Sequence, residues 1–262
     1  MKKLHLILFA FAVTFMTTVN AQTADEIIDA YFENTGGLDA WNKVEGLKMT
    51  AKINQGGMEI PLEIVQLKSG KQMVKINFQG QIIKQGVYDG ESFWSHNFMT
   101  RKAEKSDAET TANAKLDLND FPDPFLNYKE KGYTVELMGT EDFNGTETFK
   151  IKLVMEPVTV DGIEEENIVY YFFETENMVP IARQSEVKIG QGKGMISEIT
   201  YSDYQEAGDL FLPYSMTQGV KGQPGQPITM DSIEINPEVD DSEFTFPVEV
   251  ETKEGDGNDK KN

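Results

Sequence analysis

The stretch Gln81-Ile82-Ile83-Lys84-Gln85-Gly86-Val87-Tyr88-Asp89-Gly90-Glu91-Ser92-Phe93-Trp94-Ser95-His96-Asn97-Phe98-Met99 decides how the rest of the chain is read. It holds two strand-like runs hinged at Asp89-Gly90, a dipeptide whose tolerance of positive φ suits a tight hairpin turn. On the second arm Phe93, Ser95 and Asn97 point to one face while Trp94, His96 and Phe98 point to the other. Large aromatics on both faces fit a sheet that is covered on one side and lines something on the other.

Outward from this hairpin the apolar period stays at two. Strands are expected over residues 47–54, 60–68, 72–79, 82–88 and 92–99, each bounded by Gly, Asn, Pro or a charged pair. In the third, Val74, Ile76 and Phe78 share one face and Met73, Lys75 and Asn77 the other, a half-buried pattern. Such close spacing predicts an antiparallel meander. Residues 100–120 are polar, Ala-rich and weakly helical, and interrupt the sheet. Phe121-Pro122-Asp123-Pro124-Phe125-Leu126-Asn127-Tyr128 follows, where two prolines can start but not continue a helix, so a short helix is expected from Pro124, ended at Gly132. Strands then resume over 133–139, 146–155, 168–174, 181–189, 195–204, 214–221 and 228–235, with Asn144-Gly145 as a hairpin turn. Residues 168–173 are apolar on both faces, which places that strand centrally.

Ahead of the sheet, Thr23-Ala24-Asp25-Glu26 is a capping-box sequence. Ile27, Ile28, Tyr31 and Phe32 then fall on one face of a helix that Thr35-Gly36-Gly37 stops, and a second short helical piece, 38–44, carries Trp41 toward the same surface. Lys2 and Lys3, an apolar run from Leu4 to Met16 and then Val19-Asn20-Ala21 read as a secretory signal peptide cleaved after Ala21. Taking 21 residues from 262 leaves 241, and because Lys2 and Lys3 go with them the formal charge falls from −20 to −22. That length suits one all-β domain over 22–250, followed by a polar tail at 251–262. The charge disfavours nucleic acid and anionic membrane surfaces. With no Cys in the sequence there is neither a disulfide nor a lipid-modified cysteine.

Counting removes most chemistries. His96 is the only histidine after residue 21, so Cys-His catalysis and a His/Cys zinc site are excluded, and a Ser-His-Asp triad would need His96 as its base. Gly190-Gln191-Gly192-Lys193-Gly194 precedes a strand, not a helix, and is no phosphate loop. The acidic runs 161–166 and 238–243 lack the ordered spacing of a calcium loop, and nothing selects a carboxylate pair for glycoside hydrolysis. No catalytic residue, metal or cofactor is expected. What remains is apolar: Phe78, Trp94, Phe98, Phe121, Phe125, Tyr170, Phe172, Met195 and Met216. These form either an ordinary core or the wall of an apolar container capped by the helix at 23–34 and the segment at 121–128.

At Tyr88-Asp89-Gly90-Glu91-Ser92-Phe93-Trp94 and Asn97-Phe98 the chain resembles the LolA-like outer-membrane lipoprotein-sorting family. The closing strands are similar too, at Thr200-Tyr201-Ser202-Asp203-Tyr204, Phe211-Leu212-Pro213-Tyr214 and Asp241-Ser242-Glu243-Phe244-Thr245-Phe246-Pro247. The likeness implies a mainly β fold, a single curved antiparallel sheet forming an unclosed half-barrel with a helical lid, that holds lipid acyl chains. Burial is worth ~0.8 kcal/mol per methylene, so a chain of about sixteen carbons gains roughly 12 kcal/mol from shelter. On this reading Phe78, Trp94, Phe98 and Phe172 line the hollow, and Ile28, Phe32, Phe125 and Leu126 come from the lid. The implied protein is a periplasmic, monomeric, non-enzymatic carrier or binder of lipid or lipoprotein acyl chains, with an inner-membrane donor and an outer-membrane acceptor. The alternative is a non-catalytic envelope sensor or interaction module on the same fold. The family's latch arginine follows its second strand; the corresponding turn here, Leu67-Lys68-Ser69-Gly70-Lys71, has no Arg, and Lys68 or Lys71 could supply charge but not a forked donor.

Overall fold

The computed structural model describes residues 22–190 and 192–247; the expected signal peptide and the polar tail lie outside the described residues. Two helices open the chain, α1 (Ala24–Asn34) and α2 (Leu38–Trp41). Thr23 and Glu26 cap α1 reciprocally, as the sequence pattern predicts. Ile27, Ile28, Tyr31 and Phe32 are buried on one side of it, each worth roughly 1.5–3 kcal/mol relative to an exposed position. The helix docks where Gly36, at φ +126°, brings its Cα against the Asp209 carbonyl; a Cβ there would sit 2.3 Å from that oxygen.

Six strands follow: β1 (Gly46–Gln55), β2 (Met58–Leu67), β3 (Gln72–Phe78), β4 (Gln81–Tyr88), β5 (Phe93–His96) and β6 (Ala103–Lys105). The helix α3 (Ala108–Asp117) and a 3-10 turn (Leu118–Asp120) come next, then β7 (Thr134–Phe143), β8 (Thr146–Val160), β9 (Ile163–Glu174), β10 (Pro180–Glu186), β11 (Ile196–Ala207), β12 (Leu210–Val220) and β13 (Gln226–Ile235). All thirteen form one antiparallel sheet in the order β6-β5-β4-β3-β2-β1-β13-β12-β11-β10-β9-β8-β7. It is two meanders joined where the first strand pairs with the last, Leu47 facing Ile235. Register shifts at Thr50/Ala51, Gln72/Val74, Leu137/Gly139, Met155/Val158 and Pro180/Ala182 are the irregularities that bend such a sheet. The two edges, β6 and β7, do not pair, so the barrel stays open.

The chain between those edges explains how the opening is bridged. Residues 106–133 must travel from one margin of the sheet to the other, and α3 crosses with them. Its Glu109 accepts from the Asp161 and Gly162 N–H groups at 3.0 and 2.9 Å, and Asn113 exchanges two hydrogen bonds with the Thr159 backbone. The other end rests on Gly70, which leaves room for Leu118 beside Tyr88.

Several expectations are corrected. Asp89-Gly90 does hinge β4 and β5, but through a four-residue loop in which Asp89 Oδ1 accepts from the Glu91 and Ser92 N–H groups, both at 2.8 Å. The β5 strand ends at His96 rather than at 99, because Asn97 Oδ1 caps the Met99 and Thr100 N–H groups and turns the chain into β6. The helix expected from Pro124 to Gly132 is instead a run of consecutive turns closed mostly by bonds three residues apart, such as Leu126 N–H to Asp123 O. The β8 and β9 strands run on to a hairpin at Asp161-Gly162, so the first acidic run belongs to a strand pair.

Candidate functional site

Cross-strand register assigns every strand residue to a face. Leu47, Met49, Ala51 and Ile53 of β1 lie opposite Gln66, Ile64, Leu62 and Ile60 of β2, and Leu62 lies opposite Ile76 of β3. On the other side Ala51 and Ile53 face Met230 and Ile228 of β13, and Ile228 faces Met216 of β12. Strand alternation puts all of these, and Phe78, on the concave face.

The concave face is finished in two ways. Over β7–β10 it is covered by α1, α2 and the turns at 121–133: Ile28, Phe32, Trp41, Phe125 and Leu126 pack on Ile151, Leu153, Tyr171 and Phe173, and all are buried. Phe125 stands edge-on to Tyr171 at 4.7 Å between ring centroids. Over β1–β3, β12 and β13 the apolar cluster of Ala51, Leu62 and Met230, with Met49, Ile53, Ile76, Met216 and Ile228 against it, draws every member from the sheet itself. Those surrounding residues are half-buried. The result is an open apolar strip next to a filled compartment. A cleft of about 560 Å³ opens at the covered end between Trp41, Val44, Phe121 and Tyr133.

Where strip and filled compartment meet, the lining turns polar. Asp123 accepts from the Tyr31 hydroxyl at 3.0 Å and from the Phe125 N–H at 2.8 Å, and burial pushes its carboxyl up to about 6. Burial likewise raises Asp117 and Asp120, while it lowers the Lys131 ammonium. Arg183 of β10 lies opposite Tyr171 of β9 and Ile199 of β11, and so on the concave face. Tyr171, and Tyr201 two residues along β11 from Ile199, share that face with it.

Of the residues singled out from sequence, Ile28, Phe32, Phe125 and Leu126 meet in the filled compartment and Phe78 belongs to the face of the open strip. The structure does not bring the other three to the hollow. Trp94 pairs with Val87 on the convex face, where Val65, Met73 and Phe244 bury it and its Nε1 donates to the Phe244 carbonyl at 2.9 Å. Phe172 packs with Phe143 and Ala182, on the side opposite to its neighbours Tyr171 and Phe173. Phe98 is 55% exposed on the turn after β5. His96 is tied into the sheet, its Nδ1 accepting from the Lys84 N–H at 2.9 Å. Lys68 pairs with Glu45 and Lys71 with Asp241. Sequence reasoning passed over Arg183, although the chain holds only two arginines and this one sits mid-strand.

No family model matches this chain, and no curated protein does. Among solved structures, a DUF1329 family protein from Desulfovibrio piger ATCC 29098 is similar with a TM-score of 0.51 at 12% identity, covering 84% of this chain and 96% of that one. A LolA superfamily protein from Nitrosomonas europaea is similar with a TM-score of 0.51 at 11% identity, covering 86% and 98%. At such identity the likeness is one of architecture: the chain has a LolA-like fold, a single antiparallel sheet left open and bridged by helices.

Proposed function

We propose that this chain is a non-enzymatic, exported binder that carries lipid or lipoprotein acyl chains along the open strip of its concave face. The observation that carries the reading is the strip itself: half-buried Ile53, Ile76, Met216 and Ile228 lie side by side in a cluster to which, among the described residues, only strands contribute. Contiguous apolar surface left to water on a monomer marks an interaction site. A hydrocarbon chain laid there would recover ~25 cal/mol for each Å² removed from water. Phe78 extends the strip, and Ile28, Phe32, Phe125 and Leu126 form the wall at which the chain would stop. Among the described residues no helix is long and apolar enough to cross a membrane. In this reading the first 21 residues direct export, residues 22–250 act as one monomeric domain, and the cargo passes between an inner-membrane donor and an outer-membrane acceptor.

Mass spectrometry of an organic extract from gently purified protein tests this directly. Stoichiometric acyl lipid is the expected result, and Met216→Glu, which puts a carboxylate into the strip, should remove it while the circular dichroism spectrum is kept. An empty extract from the unaltered protein, with a stoichiometric protein partner recovered by crosslinking in cells, would replace the carrier with the interaction module.

A further inference from the structure

The two rims of the sheet are finished differently. Because neighbouring strands are antiparallel, the turns alternate between rims, and those of β1–β2, β3–β4, β5–β6, β8–β9, β10–β11 and β12–β13 share one. The helices α1 and α2 dock at the other, where Gly36 meets Asp209. Among the described residues the large apolar side chains at least half exposed are Ile82, Phe98, Met99, Met138, Ile163 and Ile189. All but Met138 stand at the first rim. Single exposed apolar residues are ordinary, but a set gathered at one margin marks an interaction site. The two most exposed are not on frayed ends. Asn97 Oδ1 accepts from the N–H of Met99, which is 93% exposed, and Glu109 accepts from the Gly162 N–H beside Ile163, each at 2.9 Å.

The charge of this rim is also unlike that of the chain. Its six turns carry Arg101, Lys102, Lys188, Lys193 and Lys221 against Asp161 alone, in a protein of net charge −20. The turns of the opposite rim carry Asp89, Glu91, Glu176 and Asp209 against Lys68 and Lys71. Lys188 pairs with Glu165 and Glu186, and Lys193 with Asp161, while Lys221 donates to Gln184 Oε1 at 3.2 Å. At physiological salt charges beyond ~8 Å are largely screened, so the turn residues set the local sign against the net charge. From the β5–β6 turn to the β8–β9 turn is ten strand spacings, about 48 Å along the arc. A protein partner of ordinary size buries about 800 Å² in one continuous patch. Separate apolar points strung along an arc, with cations between them, suit a surface that yields around each of them. We infer that this rim docks the protein on an anionic bilayer, its apolar tips entering the headgroup layer and Arg101 and Lys221 meeting lipid phosphates. The strip runs out at the same rim, since Ile53 faces Ile228 near the end of β1 and Phe78 ends β3. The docking itself does not depend on the carrier reading.

The test is flotation of the full exported chain, stripped of lipid, with vesicles of equimolar phosphatidylcholine and phosphatidylglycerol. The unaltered protein should bind. Met99→Asp/Ile163→Asp should lower the partition by about 10-fold or more, because each change trades an inserted apolar group for a charge. Arg101→Gln/Lys221→Gln should lower it by about 5- to 30-fold. Leu38→Asp/Phe211→Asp, the same kind of change on the helix-covered rim, should leave it unchanged. All six side chains are exposed, and an unchanged circular dichroism spectrum checks each fold; should a double variant not fold, Met99→Asp alone is read. No binding by the unaltered protein, binding that survives either rim variant, or an equal loss in Leu38→Asp/Phe211→Asp overturns the inference. So does a dimer or a stoichiometric protein partner that Met99→Asp/Ile163→Asp loses while the unaltered protein ignores vesicles. Docking with an empty organic extract supports the rim and removes the carrier; extracted lipid without docking does the reverse.

Discussion

At the β7–β10 end of the concave face Phe125 meets Tyr171 and Phe173 edge-on, Phe32 meets Trp41, and these five rings are buried. Over β1–β3, β12 and β13, Ile53, Ile76 and Met216 are as apolar but cluster only with other strand residues. The sheet is the same sheet and the residue types are the same. What differs is that the chain lays its own helices and turns over one half and α3 alone crosses toward the other, anchored by hydrogen bonds to the β8–β9 hairpin tip rather than by an apolar face. Filled apolar surface stabilises the fold; unfilled apolar surface of this extent has to be explained by something that visits it.

The largest expected effect breaks the filled half. Phe125 is 1% exposed and packs on two rings, so Phe125→Ala should lower unfolding free energy by about 3–5 kcal/mol, read from urea midpoints. A loss near that of an exposed site would mean that this compartment is loosely packed, and the contrast with the strip would vanish.

Sequence periodicity was enough to find the helix at 24–34, the two meanders and the Asn144-Gly145 hairpin, where φ values of +53° and +90° are those the dipeptide is suited to. It could not tell concave from convex. Phe93 and Trp94, like Phe172 and Phe173, are adjacent large aromatics, and alternation guarantees only that they part company. Which one faces the hollow is set by the docking of α1 and of residues 239–246, contacts more than a hundred residues away in sequence. Trp94 went to the face that Phe244 seals. The segment from Pro124 to Gly132 looks helical in sequence because a proline suits a first turn, while Asn127, at φ +54°, breaks the run three residues later. The polar margin stayed hidden for a similar reason: Arg183 and Asp123 are sixty positions apart, and nothing local in either neighbourhood announces the other.

Asp123 gives the next largest effect, at the margin between the halves. Its folded-state carboxyl titrates at about 6 against an ordinary 3.8, so the folded protein holds a proton there that the unfolded chain has already released. Stability contributed by this group is therefore full below about pH 4, falls as pH rises to about 6, and is flat above it. Asp25 and Glu243 act oppositely, held low by Tyr128 and by Lys84, so the profile of the whole protein mixes both signs. Asp123→Asn separates them: variant and parent should match near pH 4, with the variant gaining up to ~3 kcal/mol by pH 7. Parallel profiles from pH 4 to 7 would show that the margin is as wet as bulk solvent, and that strip and compartment do not form one continuous hollow.

The smallest effect is the one that sharpens the comparison most. Ile76 is half-buried, so Ile76→Ala should cost the free protein only about 1 kcal/mol, well below the Phe125→Ala loss. A hydrocarbon bound on the strip changes the arithmetic, because a ligand that binds only the folded state raises stability in proportion to the logarithm of its concentration over Kd. If Ile76 touches that ligand, its truncation weakens binding by about 1 kcal/mol, roughly fivefold in Kd, and the stabilisation gained from added hexadecanol shrinks accordingly. Phe172→Ala, a larger truncation on the opposite face, should gain as much from hexadecanol as the parent does, since that ring packs against Phe143 and Ala182. Equal gains in both variants and the parent would place the ligand elsewhere and return the strip to being merely bare.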